Sequence, residues 1–462
     1  MDTKRKIMKF EKAVLRCSVA AALAALSGTV SASGFALIEQ NASGLGNAYA
    51  GGAASAEDAS TIFFNPAGMS RLSGKQVVVA AHVITPSAQF SNTASTTPDP
   101  IYGFVAAPVG GDAGSTAVVP SAYFMWTINP ELSAGVGLGA PFGLKTEYDA
   151  NWMGRFHAIK SEIKTININP SVAYKVNDSV SLGAGVNWQR IEATLTKAVN
   201  YAAFGAAGGT EGSNNLEGSD STWGYNLGAL FNVNPNTTVG VAYRSSMNYK
   251  ISGTASYYGR TAGLDAAIAG ALGPAAAQTL AQQIGDSSFT ADIELPATFS
   301  LALKYQPNAQ WDILADATQT EWSSIQSLDL YRSSGIASGL SLESVPFKWR
   351  DTWRVGVGAN HHYNEKWTAR VGVAYDQTPT SDTYRIARVP DSDRTWLSLG
   401  AQCKTGKGGA FDFSYAHLFM KDAALNMNTP VLSGPQVAGR GALIGNYSNQ
   451  VDILSVQYTR SF

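Results

Sequence analysis

The chain has 462 residues, 33 basic and 34 acidic, for a formal net charge of -1, with 46 glycines, 10% aromatics and two cysteines. The balance shifts to mildly acidic once the N-terminal leader is removed, which argues against a nucleic-acid partner, since that would favour a basic face. Low charge beside many small and aromatic residues suits a wall that is apolar on one face and small or polar on the other.

Residues 1–32 read as a secretory signal peptide. Lys4, Arg5, Lys6, Lys9, Lys12 and Arg16 precede an apolar stretch from Val19 to Leu26, and small residues follow at Val30-Ser31-Ala32. Its removal takes away six basic and two acidic residues, so the net charge falls from -1 to -5. Cys17 does not fit a lipidation site, because Arg16 stands where a small residue is wanted. Cys403 is then the lone mature cysteine, which excludes an intrachain disulfide and a cysteine-cluster metal site. No later segment offers the roughly 20 uninterrupted apolar residues of a spanning helix. An exported chain of this kind is periplasmic, secreted or a barrel.

Residues 33–72 are small, Gly-rich and poorly alternating, so they cannot form a wall strand. They include Ser43-Gly44-Leu45-Gly46-Asn47-Ala48-Tyr49 and Phe63-Phe64-Asn65-Pro66-Ala67-Gly68. A nucleotide loop is a poor reading of Gly44 and Gly46, since no strand precedes them and the third glycine is misplaced.

From Lys75 onward one theme repeats: a run with period two, then a tight turn or a long polar loop. Period two makes a strand with two different faces. Ile166, Ile168, Pro170, Val172, Tyr174 and Val176 form one apolar face against Asn167, Asn169, Ser171 and Ala173. Trp223, Tyr225, Leu227, Ala229, Phe231 and Val233 repeat it against Gly224, Asn226, Gly228 and Asn232. Aromatics sit at the ends of such faces, where membrane–water interfaces collect amphipathic rings. Six tight turns fall at Asn129-Pro130, Val176-Asn177-Asp178, Asn234-Pro235-Asn236, Gln306-Pro307-Asn308, Tyr363-Asn364-Glu365 and Thr405-Gly406-Lys407. Seven longer connections lie at roughly 91–118, 141–158, 199–221, 253–290, 320–349, 376–393 and 421–447. Together they require fourteen strands with both ends on the periplasmic side. The fold class is all-β, a transmembrane antiparallel β-barrel over residues 73–462.

Within that barrel, Leu132, Ala134, Val136 and Leu138 alternate before Gly139-Ala140-Pro141-Phe142-Gly143 ends the pattern. Proline cannot donate to a ladder and the flanking glycines weaken pairing. The third strand therefore either kinks there or stops in an external turn. Leu264 to Ile284 reads as helix broken at Gly273-Pro274, either a landing surface for an apolar ligand or a loop packed on its neighbours. Phasing places Lys304, Asp312, Asp316, Arg350, Arg354, Arg370 and Asp376 on inner faces. Facing lipid near the midplane would cost about 2–4 kcal/mol for each Arg or Lys. These charges brace the barrel, or one cation, Arg354 or Lys304, meets a ligand carboxylate. The last strand ends with Tyr458 and Phe462, a terminal aromatic that looks like the signal read by the barrel-assembly machinery. His82, His157, His361, His362 and His417 stand in no catalytic motif. No metal or cofactor spacing appears, so no catalytic residue is assigned.

The segment around Asn65-Pro66-Ala67 resembles the FadL family of outer-membrane fatty-acid and hydrocarbon transporters. So do Leu295-Pro296 with Trp311 and Trp322, Trp349-Arg350-Asp351 with Tyr375-Asp376, and Arg388-Val389-Pro390-Asp391-Ser392-Asp393-Arg394-Thr395-Trp396. The likeness covers essentially the whole mature chain. It implies that residues 33–72 form a hatch inside the bore, with an apolar lumen pocket and a sideways exit at the kink formed by Gly139, Pro141, Phe142 and Gly143. The expected function is facilitated diffusion of a long-chain fatty acid or an aromatic hydrocarbon into outer-membrane lipid of a Gram-negative cell, with no cofactor. A diffusion porin for polar solutes would need an open bore without a plug, and an outer-membrane lipid hydrolase would need a catalytic histidine.

Overall fold

The computed structural model describes residues 33–96, 107–202, 209–260, 262–275, 278, 284–335, 338–428 and 439–462. The expected signal peptide, 1–32, lies outside the described residues.

Fourteen antiparallel strands form the wall. They are β1 (Lys75–Asn92), β2 (Ala117–Thr127), β3 (Leu132–Gly139, resuming at Gly143–Glu147), β4 (Lys160–Lys175), β5 (Val180–Asn200), β6 (Glu211–Asn234) and β7 (Thr237–Arg244 and Met247–Tyr258). They continue as β8 (Ser287–Leu295 and Thr298–Asn308), β9 (Trp311–Thr320 and Ser327–Arg332), β10 (Ser341–Pro346 and Thr352–His362), β11 (Trp367–Asp376), β12 (Arg394–Thr405), β13 (Gly409–Met420 and Ala423–Met427) and β14 (Leu443–Ser461). Each pairs with its sequence neighbour, and β14 returns to pair with β1 from Gln76↔Ser461 to Asn92↔Gly445. Closure leaves the sheet without a free edge, the condition for spanning a bilayer with strands.

Alternation along each strand turns the molecule inside out relative to a soluble protein. On β12, Leu397 and Leu399 are 44% and 55% exposed while Trp396 and Ser398 are buried. On β4, Ile168, Val172 and Tyr174 face out, and Asn167, Asn169 and Ser171 are buried inward. No helix among the described residues is long and apolar enough to cross a membrane.

The six tight turns fall where turn formers stand in the sequence, but strands run well into three of the expected loops. β5 and β6 occupy most of 199–221 by running to Asn200 and from Glu211, β7 and β8 reach Tyr258 and Ser287, and β9 and β10 form a hairpin through 320–349. In these upper segments the alternation inverts: Met247, Tyr249 and Ile251 are buried inward while Asn248 and Lys250 are exposed, so the lipid-facing apolar pattern stops while backbone pairing continues. Of the helix expected over Leu264–Ile284, α1 spans Ala262–Leu272 and ends at Gly273, φ +83, with residues 274, 275 and 278 helical beyond the break. Arg350 does not face the lumen as its spacing predicts. It is exposed in the break between Pro346 and Thr352, and parity counted from Arg354 does not carry across a break.

Residues 33–72 pack against strand residues such as Gly183 and Gly228. Their short helices, Ala42–Leu45, Gly52–Ser55 and Thr61–Phe64, and the 3-10 turn Pro66–Arg71 are too brief to stand alone. The first packs on β12, β13 and β14, the second on β7 and β8, and the 3-10 turn on β4, β5 and β6. The segment thus touches three separate groups of strands. Small wall residues permit the approach: a Cβ on Gly228 would stand 1.9 Å from Asn65 Oδ1, and one on Gly183 would stand 2.2 Å from the Ala67 nitrogen.

Candidate functional site

Asn65 is fully buried and ties the inner segment to the wall. Its Oδ1 accepts from the Ala67 N–H at 3.1 Å, capping the turn that Pro66 starts. Its Nδ2 donates to Ala53 O at 2.7 Å and to the wall carbonyls of Ala229 and Val241 at 3.0 and 3.3 Å. Only a short side-chain amide both accepts and donates in this way. Glu57 makes a second tie: its carboxylate meets Arg370 Nη2 at 2.8 Å and Asn360 Nδ2 at 2.6 Å, and Arg370 also pairs with Asp412.

The third strand is interrupted between Gly139 and Gly143. Three residues, Ala140, Pro141 and Phe142, stand opposite two on β4, since Gly139 pairs with Asn167 and Gly143 with Lys164. Toward β2 the ladder ends at Ala122↔Leu138, while Ala117 to Ser121 remain paired only to β1. The backbone groups facing this gap are satisfied from inside the bore. Leu37 N–H donates to Pro141 O at 2.7 Å, and Gly143 N–H donates to Phe35 O at 2.9 Å. Phe35 to Leu37 thus supplies one rung where the neighbouring strand supplies none.

Two cavities flank that rung. The inner one, about 140 Å³, is lined by Leu37, Tyr49, Phe64, Pro141, Phe142, Trp322 and Trp396. The outer one, about 40 Å³, lies in the wall gap between Val118, Pro120, Ala140 and Ile166, with Lys164, Arg190 and Glu192 among its lining residues. Leu37 and Phe142 line both, and both are buried. Phe35 packs on Trp322 and Phe142 with ring centroids 5.1 and 6.0 Å apart. The chain before it is anchored, as Gly34 N–H donates to Asp391 Oδ2 at 2.9 Å and Asp391 is held by Arg394.

The two cations singled out in the sequence are separated. Arg354 lines the inner cavity, paired with Asp316 at 3.3 Å, donating to Ala48 O, and lying 5.5 Å from the Trp396 ring. Lys304 lies elsewhere, paired with Asp312 at 3.3 Å in a polar hollow shared with Glu57, His362 and Lys404. Sequence reasoning missed Arg244, a second guanidinium lining the inner cavity. Parity could have found it, because Arg244 is in phase with Gly240 and Ala242, and its cross-strand neighbours Asn226 and Thr298 are uncharged. Tyr458 and Phe462 lie away from both cavities. The Tyr458 ring lies tilted against Phe411, with centroids 4.8 Å apart, and Phe462 is 70% exposed. His82 meets Ser455 at 2.6 Å, but neither lines the cavity.

A closed fourteen-stranded barrel with an apolar outer face and an apolar cavity beside a wall gap is an outer-membrane transport barrel. A family profile described as "Outer membrane protein transport protein (OMPP1/FadL/TodX)" matches residues 23–462, so the chain belongs to that family. It is 31% identical to a 47 kDa outer membrane protein of Pasteurella multocida, over 89% of this chain and 92% of that one. It is 28% identical to the long-chain fatty acid transport protein of Escherichia coli O6:H1, over 94% and 95% of the two chains. The crystal structure of a Pseudomonas aeruginosa FadL homologue matches with TM-score 0.81 and 28% identity, covering 93% of this chain and all of that one. The Pseudomonas putida toluene transporter TodX shares the fold, with TM-score 0.62 and 16% identity over 87% of this chain and 94% of that one. The chain is therefore an outer-membrane transport channel for hydrophobic compounds and not an enzyme.

Proposed function

We propose that the protein takes up long-chain fatty acids or similar hydrophobic small molecules by facilitated diffusion, binding them in the inner cavity and releasing them sideways through the gap at β3. The observation that carries this reading is the single rung from Phe35–Leu37 to Pro141–Gly143, which separates an apolar cavity from an opening in the wall. Displacing three residues joins the two spaces without breaking any pairing between wall strands.

Solubility favours the sideways route. A cargo burying roughly 300 Å² of apolar surface would forfeit about 7 kcal/mol on release into water, at about 25 cal/mol per Å². Passing from cavity to lipid avoids that cost. A porin reading suits the molecule less well, because residues 33–72 occupy the bore and are tied to the wall through Asn65 and Glu57.

Pro141→Val and Gly139→Leu test the exit. In an antiparallel pair in which Leu37 N–H bonds to residue 141 O, a donor restored at 141 faces Leu37 O, adding a bond that holds the segment shut. At Gly139 a Cβ would stand 2.3 Å from Gln40 Oε1, pressing on a side chain that bonds to Ala140 O at 3.0 Å. Uptake of a radiolabelled fatty acid by cells should fall in both variants, with surface abundance and equilibrium binding retained. Unchanged uptake in well-folded variants would place the exit elsewhere.

A further inference from the structure

We infer that Arg244 is the anion-recognising group of the inner cavity, so that the transporter selects amphiphilic monocarboxylates over neutral hydrocarbons of similar size. The inference rests on the proposal that this cavity holds the cargo.

The cavity offers two guanidinium groups in different states. Arg354 is paired with the Asp316 carboxylate, and Asp376 stands opposite it on β11. Charge at that end is balanced by the wall. Arg244 lies three strand spacings away, roughly 14 Å around the barrel. Among the described residues it makes no ion pair with a carboxylate. Its Nη1 donates to Asn187 Oδ1 at 2.5 Å and its Nη2 to Phe63 O at 3.0 Å, both neutral acceptors, and its guanidinium lies 4.5 Å from the Phe63 ring.

A guanidinium carries five N–H donors, so these two bonds leave three, including Nε. The Nε atoms of Arg354, Arg370 and Arg394 are buried without partners, whereas no nitrogen of Arg244 is in that state. Its Nε is therefore not sealed off, and the residue lines the cavity. A cation whose hydration is curtailed by Phe63 and Phe64 gains most from an anion that accepts two parallel N–H bonds, the geometry a carboxylate provides. The apolar lining from Phe64 to Trp396 would take the hydrocarbon tail. A neutral hydrocarbon fills the same lining and leaves those donors unpaired, while an alcohol oxygen accepts without charge assistance and without the two-oxygen fork.

The intact protein, purified in detergent, is titrated with an 18-carbon fatty acid and with the 18-carbon alcohol of the same unsaturation. For Arg244→Gln the acid should bind about 10- to 100-fold more weakly, the range expected for losing a charge-assisted bond, and the alcohol should bind as before. Arg244→Lys, which keeps the charge and loses the planar fork, should fall between. Heat-modifiable gel mobility verifies that each variant is folded. Unchanged affinity for the acid in both variants overturns the inference, and equal losses for acid and alcohol reassign Arg244 to packing. Failure of the unaltered protein to bind either probe would overturn the cavity reading itself, an outcome distinct from the other two.

Discussion

Glu39 lies between the gating rung and the helix Ala42–Leu45, 2% exposed, with Oε2 lacking any partner. Burial pushes its carboxyl from the ordinary 4.5 up to about 7, against the pull of Arg394 and Arg354. A carboxyl raised on docking stabilises the docked segment fully below pH 4.5, and that contribution is lost as pH rises through about 7. Above that, seating the inner segment costs on the order of 3 kcal/mol more than it would with a neutral side chain. Protease access to residues 33–72 should therefore increase between pH 5 and pH 8, and Glu39→Gln should flatten the profile. A pH profile identical in both proteins would remove Glu39 from the control of docking. Residues such as Arg354 and Arg370 were legible inward by parity alone, because a strand repeats every two residues. Arg350 was misplaced and Glu39 was invisible, since parity says nothing across a break or within an irregular segment.

At the scale of elements, β14 is the strand that closes the ring, paired to β13 on one side and to β1 on the other. Its last residue adds two bonds, Phe462 N–H to Lys75 O at 2.8 Å and Lys75 N–H to Phe462 O at 3.4 Å, both from backbone. Among the described residues the exposed Phe462 ring lies 5.5 Å from the Arg460 guanidinium, and it does not line the inner cavity. Truncating such a side chain changes the stability of a folded protein by within about 0.5 kcal/mol. Phe462→Ala should accordingly lower the folded yield in the membrane, through poorer recognition during assembly, and leave uptake per folded molecule unchanged. Heat-modifiable mobility reports the first quantity and normalised uptake the second; normal yield with lost uptake would reverse the assignment. Strand number and turn positions were readable because Asn, Pro and Gly mark each tight turn with its own backbone chemistry. The upper strand ends were not, since there the apolar residues, such as Met247, Tyr249 and Ile251, turn inward and the outward apolar pattern that marked the wall stops. Nor could any local pattern show that Phe35–Leu37 completes the gap at Pro141, a contact between segments about a hundred residues apart.

For the whole molecule, wall and filling are separable. Every strand finds both neighbours within the ring, so the ladder closes without help from residues 33–72. The inner segment adds one rung at Ala36↔Phe142, the Asn65 bonds to Ala229 and Val241, and ties such as Glu57 to Arg370. Its removal would return Arg370, Asp412 and Asn360 to water in a polar lumen, which satisfies them again at little cost. The wall glycines that accommodate it, Gly183 and Gly228 among them, would then border open space. Deleting 33–72 while retaining the export signal should thus give a barrel that still shows heat-modifiable mobility. In planar bilayers it should conduct ions well above the intact protein, since a fourteen-stranded ring without its filling is wide enough for water. Selective uptake of hydrophobic cargo should be lost in the same variant, because the gate Phe35–Leu37 and the cavity wall from Tyr49 to Phe64 leave with the deleted residues. A folded, truncated barrel that conducts no better than the intact protein would show that residues 33–72 do not close the bore.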